Sequence, residues 1–184
     1  DVFEKDIKEL KYFNKHKLLC ACSEDKQIIV FDIDQNDKYH VFTSEFGDEL
    51  TSITKTSDDN FIIAGTSEGN HIIYDLLNKE ILHSFKKIQE GMVLSMSICK
   101  KNSFIISSSL DGGLILVRYE KPDNLKHVLN KSKVKFKDFD LGKEKPVFLG
   151  VTVDNRIELY DNKYFEKEFS INDLISYNIT AIQL

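Results

Sequence analysis

A short pattern occurs four times in this chain at a fixed spacing of 43 residues. Each copy consists of an apolar strand, an acidic turn, a second apolar strand and a closing pair of residues. The four closing pairs are Phe31-Asp32, Tyr74-Asp75, Val117-Arg118 and Tyr160-Asp161. Repeats of this length with several short strands in each are typical of arrays in which neighbouring units cover one another's apolar faces. The repeat therefore limits the fold more strongly than any single motif does.

Four strands are predicted in each repeat, joined by short turns rich in Asp, Asn, Gly and Ser. Four antiparallel strands form a twisted blade with two apolar faces, which blades bury by stacking around an axis. The sequence thus predicts an all-β protein, a β-propeller of four-stranded antiparallel blades. The predicted blades span residues 7–43, 50–86, 93–129 and 134–171. Residues 179–184 are predicted to be the first strand of a fifth blade, because Ile182 matches Leu10 at the repeat spacing.

Composition argues against several partners and locations. The net charge of −5 in 184 residues is mild, and a broad nucleic-acid surface requires clustered Lys and Arg. No apolar run approaches the roughly 18 residues of a membrane span, so neither nucleic acid nor a membrane is expected as a partner. Three cysteines without disulfide spacing favour an intracellular location, the cytoplasm first, with the nucleus left open. Because the chain lacks an initiating Met, we expect it to be part of a longer protein.

The closing pairs resemble those of the WD-repeat (WD40) propeller family, and the resemblance covers essentially the whole chain. In that family a hydroxyl, an acid, a His and the Trp of the pair form a hydrogen-bonded network. The hydroxyl positions hold Ser23, Thr66, Ser109 and Thr152. The acid positions hold Asp25, Glu68, Asp111 and Asp154, and the acids of the closing pairs are Asp32, Asp75 and Asp161. The chain has no Trp, so the resemblance implies a divergent propeller stabilised mainly by apolar burial.

The sequence predicts no catalytic, metal or cofactor site. Cys20 and Cys22 point to the same face of a strand; a metal pair is the alternative reading, but Cys20 occupies a position that is apolar in the other repeats. His40 and His83 lie at the same position of adjacent repeats, too far apart to share an ion at ~2.1 Å from each. The acids recur with the repeat, which indicates turn formers rather than a catalytic pair. We therefore predict that the protein is not an enzyme.

Charged residues that do not follow the repeat are the best candidates for contact with a partner. Lys131, Lys133 and Lys135 alternate before the fourth repeat, and Arg118 replaces the acid of the third closing pair. Alternating lysines usually form a solvated strand edge. The functional alternative is a contact surface for an acidic partner. These four residues form the predicted partner-contact set.

The leading functional prediction is a non-catalytic scaffold for protein–protein interaction within a larger intracellular assembly, as the resemblance implies. Its partners would be other proteins or further blades of the same parent chain. The loops Thr43–Glu49 and Asn130–Lys133 are the predicted contact surface, because connecting loops of a rigid frame commonly carry binding residues. A second hypothesis is a propeller that reads a short or modified peptide, which requires an aromatic cage or an Arg cluster. A third is an enzyme domain framed by the propeller.

Overall fold

The computed structural model describes residues 3–99, 104–111, 114–119, 125–128, 136–141, 147–152, 154, 156–161 and 167–171. This part of the chain contains sixteen β-strands and no helix. Accordingly, no helix long and apolar enough to cross a membrane is found among these residues. The predicted all-β class is confirmed.

The strands form four sheets of four strands each, and in every sheet the strands follow chain order. Sheet 1 comprises β1 (Ile7–Phe13), β2 (Leu18–Ser23), β3 (Gln27–Asp32) and β4 (Asp37–Thr43). Sheet 2 comprises β5 (Leu50–Lys55), β6 (Phe61–Thr66), β7 (His71–Asp75) and β8 (Glu80–Phe85). Sheet 3 comprises β9 (Val93–Cys99), β10 (Phe104–Ser109), β11 (Leu114–Tyr119) and β12 (Leu125–Val128). Sheet 4 comprises β13 (Phe136–Leu141), β14 (Val147–Thr152), β15 (Ile157–Asp161) and β16 (Lys167–Ile171).

The chain divides into two compact units, residues 1–96 and 97–184. The first unit contains sheets 1 and 2 and the beginning of β9. The second contains the end of β9, the strands β10–β12 and sheet 4. The predicted first strand of a fifth blade, residues 179–184, lies outside the described residues.

A shift in strand register recurs at the same place in three sheets. It falls between the first and third residues of β1, β5 and β13, so that Lys8, Thr51 and Lys137 are skipped in the pairing. The spacing of these residues is the repeat spacing or a multiple of it. Such a bulge bends the strand and changes which side chains face each side. The repeat therefore extends to the irregularities of the sheets.

The core of the first unit lies between sheets 1 and 2. We call the side of sheet 1 that contacts sheet 2 its front face, and the side of sheet 2 that meets it the back face. The buried front-face residues of sheet 1 are Phe13, Leu18, Cys20, Cys22, Ile28, Val30 and Phe42. The buried back-face residues of sheet 2 are Leu50, Ile53, Ile62, Ala64, Ile72, Tyr74 and Leu76. Both sides of β6 and β7 are buried, which explains why their sequences are nearly continuous apolar runs.

Candidate protein-binding surfaces

The hydroxyl position of sheet 2 is the centre of a buried polar network. The Thr66 hydroxyl donates to Asp48 Oδ2 at 3.3 Å and accepts the Asn70 amide at 3.1 Å. The side-chain amide of Asn70 also donates to Asp48 Oδ2. Glu68, which holds the acid position in the sequence, contributes its backbone amide to Thr66 Oγ1 and is itself exposed. The carboxylate of this network therefore comes from the loop before β5, not from the turn.

The next loop of the chain covers this turn of sheet 2. Gly69 has φ +79°, and its carbonyl accepts the Gln89 amide at 3.1 Å. The Lys87 amide donates to Asn70 Oδ1 at 2.7 Å. A Cβ on Gly69 would lie 2.1 Å from the Gln89 carbonyl oxygen, so the loop and the turn are in close backbone contact. Gln89 occupies the position at which the WD family carries its His, and it is buried.

In sheets 3 and 4 the turn acid is the partner of the hydroxyl. Ser109 donates to Asp111 Oδ1, and Thr152 donates to Asp154 Oδ1. Arg156 Nη2 lies 2.7 Å from Asp154 Oδ2. The Thr152 hydroxyl, with help from Arg156, holds the pKa of Asp154 below its usual range. These acids stabilise a turn locally.

In the turn of sheet 1, the acid Asp25 binds a backbone amide from the segment before β1. Ser23 Oγ accepts the backbone amide of Asp25 at 3.1 Å, and Asp25 Oδ2 accepts the Glu4 amide at 2.7 Å. A cleft of about 330 Å³ lies beside this turn. Lys5, at its margin, pairs with Glu49 at 3.0 Å. Lys5, Glu24 and Asp25 of the cleft therefore have bonding partners within the protein.

The acids of the closing pairs support the next turn of the chain. Asp32 Oδ1 accepts the amides of Asp34 and Gln35, each at 3.0 Å. Asp75 Oδ1 accepts the amide of Leu77 at 3.0 Å and that of Asn78 at 2.8 Å. These contacts give the recurring acid a structural role at the end of the third strand. The side chain of Asp161 lies outside the described part of the chain.

The predicted partner-contact set falls largely outside the structure. Lys131, Lys133 and Lys135 lie outside the described residues, as does the loop Asn130–Lys133 that contains two of them. The backbone of Arg118 lies in β11, opposite Phe104 of β10, but its side chain is not described. The role of these four residues stays a prediction.

Cys20, Cys22 and His40 are packed against other side chains. Cys20 and Cys22 are fully buried on the front face of sheet 1. Burial raises the pKa of the Cys22 thiol to about 12 and that of Cys20 further still. The ring of His40 packs edge-on against Phe42 at 4.5 Å, and burial followed by the nearby Lys79 lowers the pKa of His40. Among the described residues no three His, Cys, Asp or Glu are grouped to hold a metal ion.

A carboxylate that the sequence analysis did not single out joins sheets 1 and 2. Glu9 Oε2 accepts the Ser52 hydroxyl at 2.9 Å and the Ile53 amide at 2.8 Å. Lys11 neutralises the other carboxylate oxygen at 2.7 Å. Glu9 directly follows the register shift of β1, and Ser52 follows that of β5. The bulges thus bring a carboxylate of one sheet to the first strand of the next.

A second contact between these sheets is made by turns. The Lys15 amide donates to Asp59 Oδ2 at 3.0 Å, and the Lys15 ammonium donates to Asn60 Oδ1 at 3.0 Å. Lys55 lies 2.7 Å from Asp59 Oδ1. Burial alone would raise the pKa of Asp59, but the bonds from Lys55 and Lys15 outweigh burial and lower it. The two turns are therefore held together by charge-assisted hydrogen bonds.

Three apolar side chains on the back face of sheet 1 are exposed, while Ala21 and Ile29 on the same face are buried. Ile7, Leu10 and Ile33 are 51%, 53% and 50% exposed. Their equivalents one repeat later, on the back face of sheet 2, are Leu50, Ile53 and Leu76, and each of those is 0% exposed. The front face of sheet 1 covers the back face of sheet 2, whereas the equivalent residues of sheet 1 remain accessible. Exposed apolar patches of this kind mark interaction surfaces.

One buried charge breaks the apolar pattern. Glu158 in β15 is fully buried, and the same position in the other repeats holds buried isoleucines, Ile29, Ile72 and Ile115. Arg156 Nη1 lies 4.0 Å from Glu158 Oε1. The unusual Glu158 could have been found from the sequence, because aligning the four repeats places Ile at this position in the other three.

The arrangement of strands defines the class of protein. Successive four-stranded sheets with one repeat each are the blades of a β-propeller. The crystal structure of the Myceliophteria_thermophila Cps50 (Swd1) beta-propeller domain is similar, with a TM-score of 0.61 over 93% of this chain and 74% of that chain. The two sequences are 12% identical, so this likeness shows the fold alone.

The family follows from the sequence comparison. Residues 10–101, half of the chain, match the family described as Anaphase-promoting complex subunit 4 WD40 domain. The chain belongs to this WD40 family, and the predicted resemblance is confirmed. A relative, the U3 small nucleolar RNA-associated protein 21 homolog of Schizosaccharomyces pombe, is 33% identical over 94 residues. That match covers 51% of this chain and only 10% of the relative's length.

Proposed function

We propose that this chain is a non-catalytic scaffold that binds other proteins within a larger intracellular assembly. The observation that carries the proposal is the exposed apolar row Ile7, Leu10 and Ile33 on an otherwise tightly bonded sheet. WD40 propellers generally mediate protein–protein interactions, which supports the same conclusion. A surface that is already rigid loses little conformational freedom when a partner binds.

The turns supply the rigidity that this role requires. Asp48 is held by Thr66 and Asn70, and it lies in the loop Thr43–Glu49 that the sequence analysis selected as a contact surface. In the same loop Glu45 and Gly47 are exposed to a partner, whereas Ser44 is buried, Phe46 packs against the core and Glu49 pairs with Lys5. Because the polar groups of the turn are bonded internally, the turn can present neighbouring side chains without refolding.

The partner-contact set remains part of the proposal. Lys131, Lys133, Lys135 and Arg118 would bind an acidic protein surface, since clustered positive charge speeds and orients association. The relative from S. pombe is named for association with U3 small nucleolar RNA. We therefore propose a nuclear assembly that contains RNA, in which this chain contacts the protein components.

The test is to isolate the tagged chain from its own cells under mild conditions and size it before and after ribonuclease treatment. We expect it to elute far above its own 21.3 kDa with a reproducible set of proteins that ribonuclease leaves attached. Elution at its own mass, without associated proteins, would contradict the scaffold role. Loss of every protein on ribonuclease treatment would show that RNA, not protein, is the direct partner.

A matched pair of variants tests the lysines separately. Reversing the charge of Lys131, Lys133 and Lys135 to Glu should remove at least one associated protein. The control reverses three exposed lysines elsewhere, Lys26, Lys86 and Lys87, and should leave the set unchanged. The same loss in both variants would mean that net charge, rather than this position, governs the association.

A further inference from the structure

We infer that the outer strand of sheet 2, β8, pairs in the antiparallel sense with β8 of a second copy of this chain. β8 (Glu80–Phe85) is the last strand of sheet 2 and, among the described residues, is paired only with β7. The other edge of such a strand presents backbone amides and carbonyls, through which strands of separate chains can pair. The inference goes beyond the proposed function, because it assigns a contact between identical chains.

β8 lacks a protection that the other outer strands have. Proteins protect the edges of their sheets with charged side chains, especially Lys, and with bulges. The outer strands of sheets 1, 3 and 4 contain Lys38, Lys126 and Lys167 respectively, whereas residues 81–85 of β8 contain no charged side chain. A register shift that skips Leu82 occurs in β8, but the same shift occurs in β4 and β16. The difference between these edges is therefore the charge.

Two exposed apolar side chains lie at the same hairpin. Leu77 and Ile81 are 49% and 38% exposed. The other repeats hold charged or polar residues at both positions. The residues equivalent to Leu77 are Asp34, Glu120 and Lys163, and those equivalent to Ile81 are Lys38, Asn124 and Lys167. Apolar side chains that replace charged ones on a surface indicate a contact with another protein surface.

The charges at the two ends of β8 identify the occupant. Glu80 begins the strand, Lys86 and Lys87 directly follow it, and all three are exposed. Every repeat has an acid at the position of Glu80, but the other repeats have no lysine at the positions of Lys86 and Lys87. An antiparallel copy of β8 brings Glu80 of each chain to Lys86 of the other, whereas a parallel copy places like charges side by side. β8 is therefore complementary to itself.

This charge pairing also defines the register of the contact. With Glu80 opposite Lys86, His83 lies opposite His83 of the second copy, and Ile81 lies opposite Phe85. The same surface is used on both chains, so the contact has two-fold symmetry and closes as a dimer. The edge of one strand is a small interface, and we expect a dissociation constant on the order of 10 µM.

Light scattering coupled to size-exclusion chromatography of the purified chain, from about 1 to 100 µM, tests the inference. We expect the mass to rise from 21.3 kDa towards twice that value. Ile81→Lys should weaken the dimer at least about tenfold. Lysine stands at the equivalent position in β4 and β16, so the variant should remain folded by far-UV circular dichroism and thermal melting. Ile33→Lys, which changes an exposed apolar residue outside this hairpin, should leave the dimer unchanged.

Charge reversal tests the antiparallel direction. Glu80→Lys and Lys86→Glu should each weaken the dimer, because each creates two like-charge contacts. A mixture of the two variants should associate, since both contacts of the mixed pair then join opposite charges.

A cysteine at the symmetry axis tests the register. His83→Cys should form a disulfide-linked dimer on mild oxidation, because residues directly opposite each other have Cβ atoms about 5 Å apart. His40→Cys is the matched control, since His40 holds the same repeat position in β4 and is also partly buried.

Several outcomes would overturn the inference. A monomer at every concentration, a dimer that survives Ile81→Lys, or a charge-reversed mixture that stays monomeric would each do so. Equal disulfide yields from His83→Cys and His40→Cys would also contradict it. If the chain is monomeric but Ile81→Lys removes a protein from the set isolated from cells, a strand of that protein is the occupant, and a second copy is not.

Discussion

In sheets 2 and 4 the equivalent threonine hydroxyl binds a carboxylate, but the carboxylate comes from different places in the chain. Both have a buried hydroxyl at the end of the second strand, Thr66 or Thr152. In sheet 4 the hydroxyl binds Asp154 two residues later, whereas in sheet 2 it binds Asp48 from the preceding loop. The hydroxyl position is thus a fixed feature of the repeat, and the source of its carboxylate partner is variable.

The two sheets also differ at one buried position of the third strand. Sheet 2 has Ile72 there and sheet 4 has Glu158, and both side chains are fully buried. A buried carboxylate costs several kcal/mol of desolvation that its partners only partly return. We therefore expect sheet 2 to be the more stable blade, and the predictions below test the contacts that distinguish the two sheets.

The largest expected effect comes from exchanging the residues of this position. Ile72→Glu should lower the free energy of unfolding by about 4 kcal/mol or more, because it buries a carboxylate without partners. Glu158→Ile should raise it by about 1–3 kcal/mol, since a well-packed apolar residue often stabilises more than a buried ion pair. Urea unfolding followed by circular dichroism measures both. Destabilisation by Glu158→Ile would show that the carboxylate makes contacts the blade requires.

Gly69→Ala should be the next largest effect. The new Cβ would meet the Gln89 carbonyl oxygen at 2.1 Å, and φ is +79°, so we expect a loss of about 3 kcal/mol. Gly47→Ala is the matched control, because φ is +72° but no atom lies within 4 Å. That variant should lose only about 1–2 kcal/mol, the cost of the left-handed conformation. Equal losses in urea titrations would mean that the loop over the sheet 2 turn moves away freely.

A smaller effect distinguishes the two acids of sheet 2. Asp48→Ala removes the acceptor for Thr66 and Asn70 and should cost about 1–2 kcal/mol. Glu68→Ala should change stability by less than about 0.5 kcal/mol, because its side chain is exposed. Thermal unfolding of the two variants side by side measures the difference. If Glu68→Ala lost more stability than Asp48→Ala, Glu68 of the turn, and not Asp48 of the loop, would be the acid that stabilises sheet 2.

The smallest expected effect is pH-dependent and belongs to sheet 4. Because the pKa of Asp154 is lowered in the folded protein, its ionised form favours folding. This contribution is present above the unfolded-state pKa of about 4 and is lost as the pH falls through the lower folded-state value. Asp154→Asn should therefore cost about 0.5 kcal/mol at pH 7, since the group is exposed, and nothing near pH 2. Urea unfolding at both pH values measures this, and a pH-independent difference would contradict it.

The fold could be predicted because the apolar spacing alone specifies it. Strand positions follow from runs such as Phe61–Thr66, which are buried on both faces and bounded by turn residues. The hydroxyl of Thr152 and the acid of Asp154 could be paired from sequence because they lie two residues apart. The spacing is not sufficient by itself, because in sheet 2 Glu68 stands at the same position and the hydroxyl binds Asp48 instead.

Contacts between separate segments could not be predicted in the same way. Asp48 reaches Thr66 across 18 residues, and Glu9 reaches Ile53 across 44 residues. The Glu9 contact depends on how sheets 1 and 2 stack, and the Asp48 contact depends on the path of the loop before β5; a strand pattern specifies neither. The exposure of Leu10 could not be predicted either, because an aliphatic side chain at the equivalent position, Ile53, is buried.

The recurring bulge of the first strand has a consequence for how such a chain can change in length. The skipped residue Thr51 separates Leu50, which is buried, from the rest of β5, and its hydroxyl donates to the Val93 carbonyl at 2.7 Å. If Thr51 were paired regularly with β6, Leu50 would turn to the side opposite Ile53, but because Thr51 is skipped the two buried side chains share one side. The first strand can therefore carry or lose this one residue without exchanging the sides of its buried side chains.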